Sequence, residues 1–224
     1  MLNFILPIVT VLVGYVFVLV FKPAKQKKLK LLLAFSGAFL LSITVFNFLP
    51  EVFNNNNSKT IGLFIMIGIL LQIVLEFFSK GAEHGHVHLI ATGDTFPWLL
   101  FISLSIHSVL EGMPIEAHDN LIYGIIIHKL PVAIILSTFF LASQLSRTKI
   151  LFFLTLFALM TPLGVLLSQE TDIFKIYYSE ISALVIGIFL HISTIILFES
   201  SEGHKFNLTK LISIITAIVI AYFI

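Results

Sequence analysis

The sequence predicts an all-α fold: a polytopic membrane helix bundle with eight transmembrane spans and both termini outside. Three observations lead to it. Of the 224 residues, 58% are hydrophobic and only 11% are charged, whereas about 25% of the residues of a soluble domain are charged. Apolar runs long enough to cross roughly 30 Å of hydrocarbon recur along nearly the whole chain. Lysine and arginine are concentrated in alternate loops, as in membrane proteins of fixed orientation.

The eight predicted spans are joined by short connections, so we expect a single transmembrane domain over residues 1–224. A cytoplasmic loop that contains histidines is expected at about residues 79–95. Short connections leave no room for an aqueous catalytic domain, which argues against an enzyme. The spans cover residues 3–21, 31–49, 61–78, 96–115, 121–143, 150–168, 181–198 and 208–224.

The positions of the charges predict the orientation. Ten lysines and arginines fall in the odd-numbered loops and two in the even-numbered loops, with Lys129 left inside span 5. The positive-inside rule therefore places the odd-numbered loops in the cytoplasm and both termini outside. The net charge of +1 gives no reason to expect a nucleic-acid partner. Abundant Phe, Ile, Lys and Asn with few Arg favour an AT-rich genome, and hence a bacterial inner (plasma) membrane.

Spans 4 and 5 contain polar side chains where a charge costs on the order of 2.5–3.5 kcal/mol. His107 and Glu111 are four residues apart and share one helix face. At ~1.5 Å per residue, His107, Glu111 and His128 lie roughly 2, 8 and 6 Å outside the bilayer centre. The chain has no cysteine, so a metal site must use nitrogen and oxygen ligands. Imidazole with carboxylate suits Zn²⁺ and, less selectively, other first-row divalent ions.

Helix-breaking residues accompany these side chains. Gly112 and Pro114 follow the glutamate of span 4, and Pro131 lies three residues after the histidine of span 5. Pro131 cannot donate a hydrogen bond to the Ile127 carbonyl, which would be left facing a cavity. Two interrupted helices beside polar residues near the midplane are typical of a transport site.

Other polar residues have structural explanations. For His191 in span 7, hydrogen-bonded packing is the favoured interpretation. Glu51 and Glu76 lie at span ends, where a side chain reaches water. In the loop after span 3, a solvated loop and weak metal capture are equally compatible with the three histidines, which are His84, His86 and His88.

Residues 107–112 read HSVLEG and resemble the fourth-span signature HSVxEG of the ZIP (Zrt-, Irt-like) family of divalent metal transporters. Residues 128–133, HKLPVA, resemble the fifth-span motif of that family in its HKxxxA form. Weaker similarities are residues 47–51 (NFLPE) to HLLPE, residues 161–164 (TPLG) to a PLG turn, and residues 187–190 (GIFL) to GTFL. The resemblance covers essentially the whole chain.

The resemblance implies uptake of Zn²⁺, or of Fe²⁺ or Mn²⁺, into the cytoplasm, with the ion as transported substrate and no organic cofactor. The implied partners are the lipid bilayer and the ion, and a homodimer is an open alternative. Some members hold two metals and supply a bridging glutamate where this chain has Val132. The other second-site positions, Ser108, Lys129 and Thr161, are not anionic either.

Lys129 is the informative substitution, because its ammonium would balance Glu111 in place of a second cation. We therefore predict one metal per chain, bound by His107, Glu111 and His128. With three strong ligands, water or a weak oxygen must complete the shell. The weak oxygens considered are those of Ser108, Asn47 and the Ile127 carbonyl.

Two other functions are compatible with the same residues. Two histidines and a glutamate also form the ligand set of a catalytic zinc, which would make the chain a membrane-embedded hydrolase. No other Asp or Glu is expected at that depth, and there is no HExxH run. The second alternative is a metal sensor that does not transport, or a scaffold protein.

Overall fold

The computed structural model describes residues 1–21, 26–54, 57–79, 81, 96–118, 120–199 and 207–224, without the side chains of 26–28 and 199. The regular elements of these residues are all helical, as predicted. A π-helical segment, Thr44–Phe48, joins α2 to α3, and a 3₁₀ turn, Ile115–Ala117, precedes α6. The helices are α1 (Leu2–Phe21), α2 (Gln26–Ile43), α3 (Leu49–Phe53), α4 (Ser58–Ser79), α5 (Trp98–Gly112), α6 (Leu121–Ala142), α7 (Arg147–Glu170), α8 (Asp172–Ile176), α9 (Tyr178–Glu199) and α10 (Leu208–Tyr222).

Seven helical segments in the described residues are long and apolar enough to cross a membrane. Their outward-facing side chains include exposed Val13, Leu70 and Phe77, which hydrocarbon solvates better than water does. The chain is thus a multi-pass helical membrane protein. The predicted eighth span is α10, whose 15 residues extend only about 22 Å, so its crossing stays a prediction. The predicted loop histidines His84, His86 and His88 lie outside the described residues.

The helices pack as two bundles. The first bundle consists of α1, α5, α6 and α7, packed around side chains such as Leu104 and Phe140. The second bundle consists of α2, α4, α9 and α10, packed around side chains such as Phe39 and Phe189. The bundles meet where α6 packs on α2 and α5 packs on α4. Predicted spans 4 and 5 therefore lie together in the first bundle, at its border with the second.

Both chain ends lie at the same end of the molecule as the α5–α6 turn. The Asn3 amide donates to the Glu116 carboxylate at 3.5 Å, and the Asn120 amide donates to the Ile224 carbonyl at 2.7 Å. We refer to this end, which carries residues 1 and 224, as the terminal face. That arrangement is the one required for two termini on one side of a membrane, and which side it is stays a prediction.

The backbone irregularity occurs in a different span from the one predicted. α5 ends at Gly112, as expected, but α6 continues as one helix through Pro131, so the predicted interruption of span 5 is wrong. Packing of α6 against neighbouring helices keeps it helical despite the lost hydrogen bond, as is common for membrane helices. The irregular segment is Thr44–Phe48 in span 2, whose π-helical hydrogen bonding the sequence did not indicate. Such segments occur frequently at functional sites.

Two glycines allow α5 and α7 to approach closely enough for backbone contact. A Cβ atom on Gly164 would lie 2.0 Å from the Val109 carbonyl oxygen. One on Gly112 would lie 2.2 Å from the Thr161 carbonyl oxygen. Any side chain at either position would force the helices apart. This contact places the Thr161 side chain beside the last turn of α5.

The helix contact predicts that Gly164→Ala destabilises the first bundle, because a methyl group would overlap a carbonyl that cannot move aside. We expect a loss of about 1–3 kcal/mol in the free energy of unfolding in mixed micelles. Gly62→Ala is the matched control, because its added methyl meets no atom within 4 Å and alanine favours helix. Equal stability of the two variants would contradict the close contact.

Candidate metal centre

A buried carboxylate, that of Glu111, lies at the centre of the candidate site. Its Oε1 accepts hydrogen bonds from the Lys129 ammonium and from Thr161 Oγ1, the latter at 2.7 Å. Lys129 also donates to Ser108 Oγ at 3.0 Å. The side chains of Glu111 and Lys129 are only 1% and 2% exposed, so water contributes little to solvating this ion pair. Neighbouring hydroxyl groups supply the polar contacts instead, as a buried charge pair requires.

The second oxygen of the Glu111 carboxylate faces His107. His107 Nε2 and Glu111 Oε2 are 3.3 Å apart, on successive turns of α5. Two ligands of a tetrahedral zinc ion, each bound at about 2.0–2.2 Å, are themselves about 3.4 Å apart. The spacing of these two atoms is therefore compatible with one divalent ion bound between them.

His128 completes the group of predicted ligands around one small cavity. The cavity has a volume of about 10 Å³, which is room for about one water molecule. Among the described residues, no three His, Asp or Glu side chains are grouped closely enough to hold one ion, so His128 would have to approach the His107–Glu111 pair. The cavity is lined by Leu104, His107, Glu111, His128, Lys129, Val132 and Phe157.

The ammonium of Lys129 is held in place from several sides. Besides Glu111 and Ser108, it faces the ring of Phe157, whose centroid lies 4.8 Å from Nζ. A cation over an aromatic face is attracted by the ring, most strongly where water is excluded. Val132, the position of the bridging glutamate in the resembled family, lines the same cavity with an apolar side chain. Among the described residues that line this cavity, Glu111 is the one with a carboxylate.

Asn47 lies in a different place from the one implied by its predicted role. It lines a second cavity of about 100 Å³ together with Glu51, His118 and Asn120, and it is not among the residues lining the first. Its assignment to the same ion as His107 stays a prediction. We refer to the cavity at Glu111 as the central cavity and to the one at Asn47 as the outer cavity.

Two histidines outside the central cavity form hydrogen bonds with glutamates. His191 Nε2 lies 2.8 Å from Glu76 Oε2, the hydrogen-bonded packing that we expected for His191. Glu76 therefore does more than reach water from a span end. His118 Nδ1 lies 2.5 Å from Glu51 Oε2, although the Glu51 side chain is 53% exposed. The pairing of His118 with a glutamate was not predicted.

The hydrogen bond that Thr161 donates to Glu111 was not predicted from the sequence. Thr161 was expected to lie in a family-like turn and at a second-site position, without a hydrogen bond to Glu111. The available signal was indirect: Gly112 next to Glu111 and Gly164 near Thr161 are the small residues through which α5 and α7 touch. A single sequence does not show that these two glycines face each other.

Comparison with known proteins gives one partial similarity. No family model matches the chain. Zinc transporter ZIP1 of Danio rerio is 28% identical to it over 122 residues, which cover 50% of this chain and 40% of that protein. The match thus spans less than half of the relative's length. It supports, at family level, the resemblance indicated by the motifs of spans 4 and 5.

The ion pair predicts that Lys129→Met is strongly destabilising, because it leaves the Glu111 charge buried without a cation. We expect a loss of about 3–5 kcal/mol in the free energy of unfolding in mixed micelles. The double variant K129M/E111Q should recover most of that loss, because it removes both charges.

Lys175→Met provides the matched control, because Lys175 forms an exposed ion pair with Asp172, with the side chains 64% and 86% exposed. Its loss should stay within about 1 kcal/mol. If the effects of K129M and E111Q were simply additive, the coupling of Lys129 with Glu111 would be refuted.

Proposed function

We propose that the chain imports a divalent metal ion, Zn²⁺ or alternatively Fe²⁺ or Mn²⁺, across the membrane into the cytoplasm. The observation that carries this proposal is the buried Glu111 carboxylate, whose Oε2 faces His107 Nε2 at 3.3 Å. The partial similarity to a protein named as a zinc transporter supports the same function. His107, Glu111 and His128 are the proposed protein ligands, between α5 and α6.

The site is proposed to hold one ion. Glu111 Oε1 is occupied by Lys129 and Thr161, so Oε2 is the oxygen that remains for a metal. The Lys129 ammonium would repel a second divalent ion from Oε1. Val132 offers no bridging carboxylate on the facing turn of α6. These contacts support a mononuclear centre in which a lysine takes the place of a second metal.

The coordination shell is proposed to be incomplete in protein ligands. Water or a weak oxygen completes it, and Ser108 is the nearer candidate because its hydroxyl belongs to the Lys129–Glu111 network. Asn47 would need to leave the outer cavity to take part. Few strong ligands and a neighbouring ammonium favour release, which a conductor requires as much as binding.

Transport requires the ion to reach both sides of the membrane in turn. We propose eight spans with both termini outside, so that the terminal face is external and the loop with His84, His86 and His88 is cytoplasmic. The bundle of α1, α5, α6 and α7 carries the ligands and would move against the bundle of α2, α4, α9 and α10. One hydrophobic cluster lies within the first bundle, whereas the other joins the second bundle to Ile122 and Ile125 of α6, so the movement would have to slide α6 along that apolar contact. The proposed location is a bacterial inner membrane.

Lining of the central cavity weighs against the hydrolase alternative. A zinc hydrolase needs a general acid or base besides its ligands. Once Glu111 binds the ion, the residues that line this cavity include no second carboxylate. A transported ion needs no such group, so the lining favours transport over hydrolysis.

The proposal predicts that His107→Ala and Glu111→Gln each lower the initial rate of zinc uptake into proteoliposomes at least about tenfold. Removal of a group that merely orients a metal ligand lowers metal affinity roughly 10–100-fold. Removal of a ligand itself should lower the affinity by at least as much. His191→Ala is the matched control, because it removes a membrane-embedded histidine that pairs with Glu76 away from the central cavity. It should transport at near the wild-type rate.

Release of the accumulated zinc by an ionophore separates transport from surface binding. Zinc that the ionophore does not release would identify a metal sensor. Undiminished uptake by both H107A and E111Q would refute the assignment of the site.

A further inference from the structure

The outer cavity brings together three metal-ligating side chains that the proposed transport site does not use. Asn47 lies in the π-helical segment and Glu51 one turn later in α3, and His118 approaches them from the α5–α6 turn. The cavity has a volume of about 100 Å³, enough for a cation that keeps several waters. The residues that line it share no member with those that line the central cavity.

Each of the three side chains has an atom suited to a divalent ion. His118 Nδ1 and Glu51 Oε2 are hydrogen-bonded at 2.5 Å, so the two atoms face each other and would separate by about 1 Å to bind one zinc ion. Asn47 Oδ1 is buried, and in the described part of the chain it has no hydrogen-bond partner. An amide oxygen shielded from water without a donor costs free energy unless something else coordinates it. Imidazole nitrogen, carboxylate oxygen and amide oxygen together suit Zn²⁺ and similar ions.

The π-helical segment accounts for the position of Asn47. Thr44–Phe48 is wider than an α-helical turn, and Asn47 lies within it, just before Glu51 in α3. Such segments are frequent at functional sites. The irregular turn of span 2 is therefore located at the outer cavity.

Tyr178 holds the imidazole of His118 in the orientation that a ligand needs. Its hydroxyl lies 2.6 Å from His118 Nε2, and a hydroxyl can either donate to that nitrogen or accept from it. When it accepts, Nε2 carries one proton, and a second proton lies between Nδ1 and Glu51; loss of that second proton frees the Nδ1 lone pair for a metal. A histidine that binds a metal through one nitrogen commonly has its other nitrogen fixed by such a partner.

Along α6, the outer cavity lies nearer the terminal face than the central cavity does. Leu121 lines the outer cavity and His128 lines the central one; seven residues of α6 separate them, about 10 Å. Glu51 is half exposed, whereas the His118 side chain is only 5% exposed. An ion arriving from water would therefore meet the carboxylate first and the imidazole second.

We propose that Asn47, Glu51 and His118 form a second divalent-metal site, which captures the ion from water before it reaches Glu111. The ion bonds to the Nδ1 lone pair and to a Glu51 oxygen, and the proton that lay between these atoms passes to water. Asn47 Oδ1 and retained waters complete the shell. The direction of capture rests on the proposed function, whereas the binding itself does not.

Zinc binding to the full-length protein in detergent tests the proposal. The variant H84A/H86A/H88A/H107A/H128A removes the loop and central ligands and retains His118, His191 and His204. Equilibrium dialysis with radioactive zinc should find one bound ion per chain. His118→Ala in this background should abolish that binding. Tyr178→Phe should weaken it about tenfold, as for a group that orients a ligand.

Glu51→Gln guards against a variant that simply fails to fold, because the amide keeps the shape and one hydrogen bond of the carboxylate. It should weaken zinc binding by more than about tenfold while the protein remains monodisperse. His191→Ala is the matched control and should leave the bound ion in place. Loss of the ion from H191A or H204A, with E51Q unaffected, would overturn the outer site.

The two proposals fail in different ways. If zinc still binds through Glu51 and His118 but vesicles take up none, the outer site stands and transport is refuted. If H107A abolishes uptake but E51Q and H118A leave the remaining zinc binding unchanged, transport stands and the outer site is refuted. As a single substitution in the otherwise wild-type protein, Glu51→Gln should raise the zinc concentration that gives half-maximal uptake. It should leave the maximal uptake rate nearly unchanged.

Discussion

The contact between the Glu111 carboxylate and the Lys129 ammonium is the interaction on which the candidate site depends. A charge inside a hydrocarbon layer persists only with a partner, and here both partners are almost wholly buried. Thr161 and Ser108 add hydroxyl contacts to the two charges. The Thr161 contact requires α5 and α7 to touch through their glycines. Helix packing thus directs one carboxylate oxygen to the lysine and leaves the other facing His107.

This division of the carboxylate has an electrostatic consequence for a bound ion. The pair of Glu111 and Lys129 is neutral, so a divalent cation at Oε2 leaves the centre with two net positive charges. A second divalent ion would raise the repulsion further, which argues for one ion per chain. The same repulsion weakens retention of the first ion, so the lysine would promote its release. In the outer cavity, by contrast, the described hydrogen bonds of Glu51 and His118 are with each other and with Tyr178, and none involves a lysine. Positive charge would therefore oppose the capture of an ion there less strongly.

Much of the architecture could be predicted because hydrophobic length and charge position are properties of local sequence. Seven spans and the placement of His107 and Glu111 on one helix face follow from such signals, whereas the pairing of Lys129 with Glu111 was expected from the family resemblance. Features that depend on contacts between helices far apart in the sequence could not be predicted in this way. Pro131 was expected to break α6, yet packing keeps the helix continuous. The π-helical turn that contains Asn47 and the approach of His118 to Glu51 join segments far apart in sequence, and no spacing rule relates them.

The central claim is that one divalent ion binds between His107 Nε2 and Glu111 Oε2 while Lys129 stays on the other carboxylate oxygen. Diffraction from crystals soaked in zinc, recorded at the zinc absorption edge, tests it most directly. The account predicts one anomalous peak in the central cavity, within about 2.0–2.2 Å of both atoms, with Lys129 still hydrogen-bonded to Oε1. Two peaks bridged by Glu111 with Lys129 displaced, or no peak in the central cavity, would contradict it.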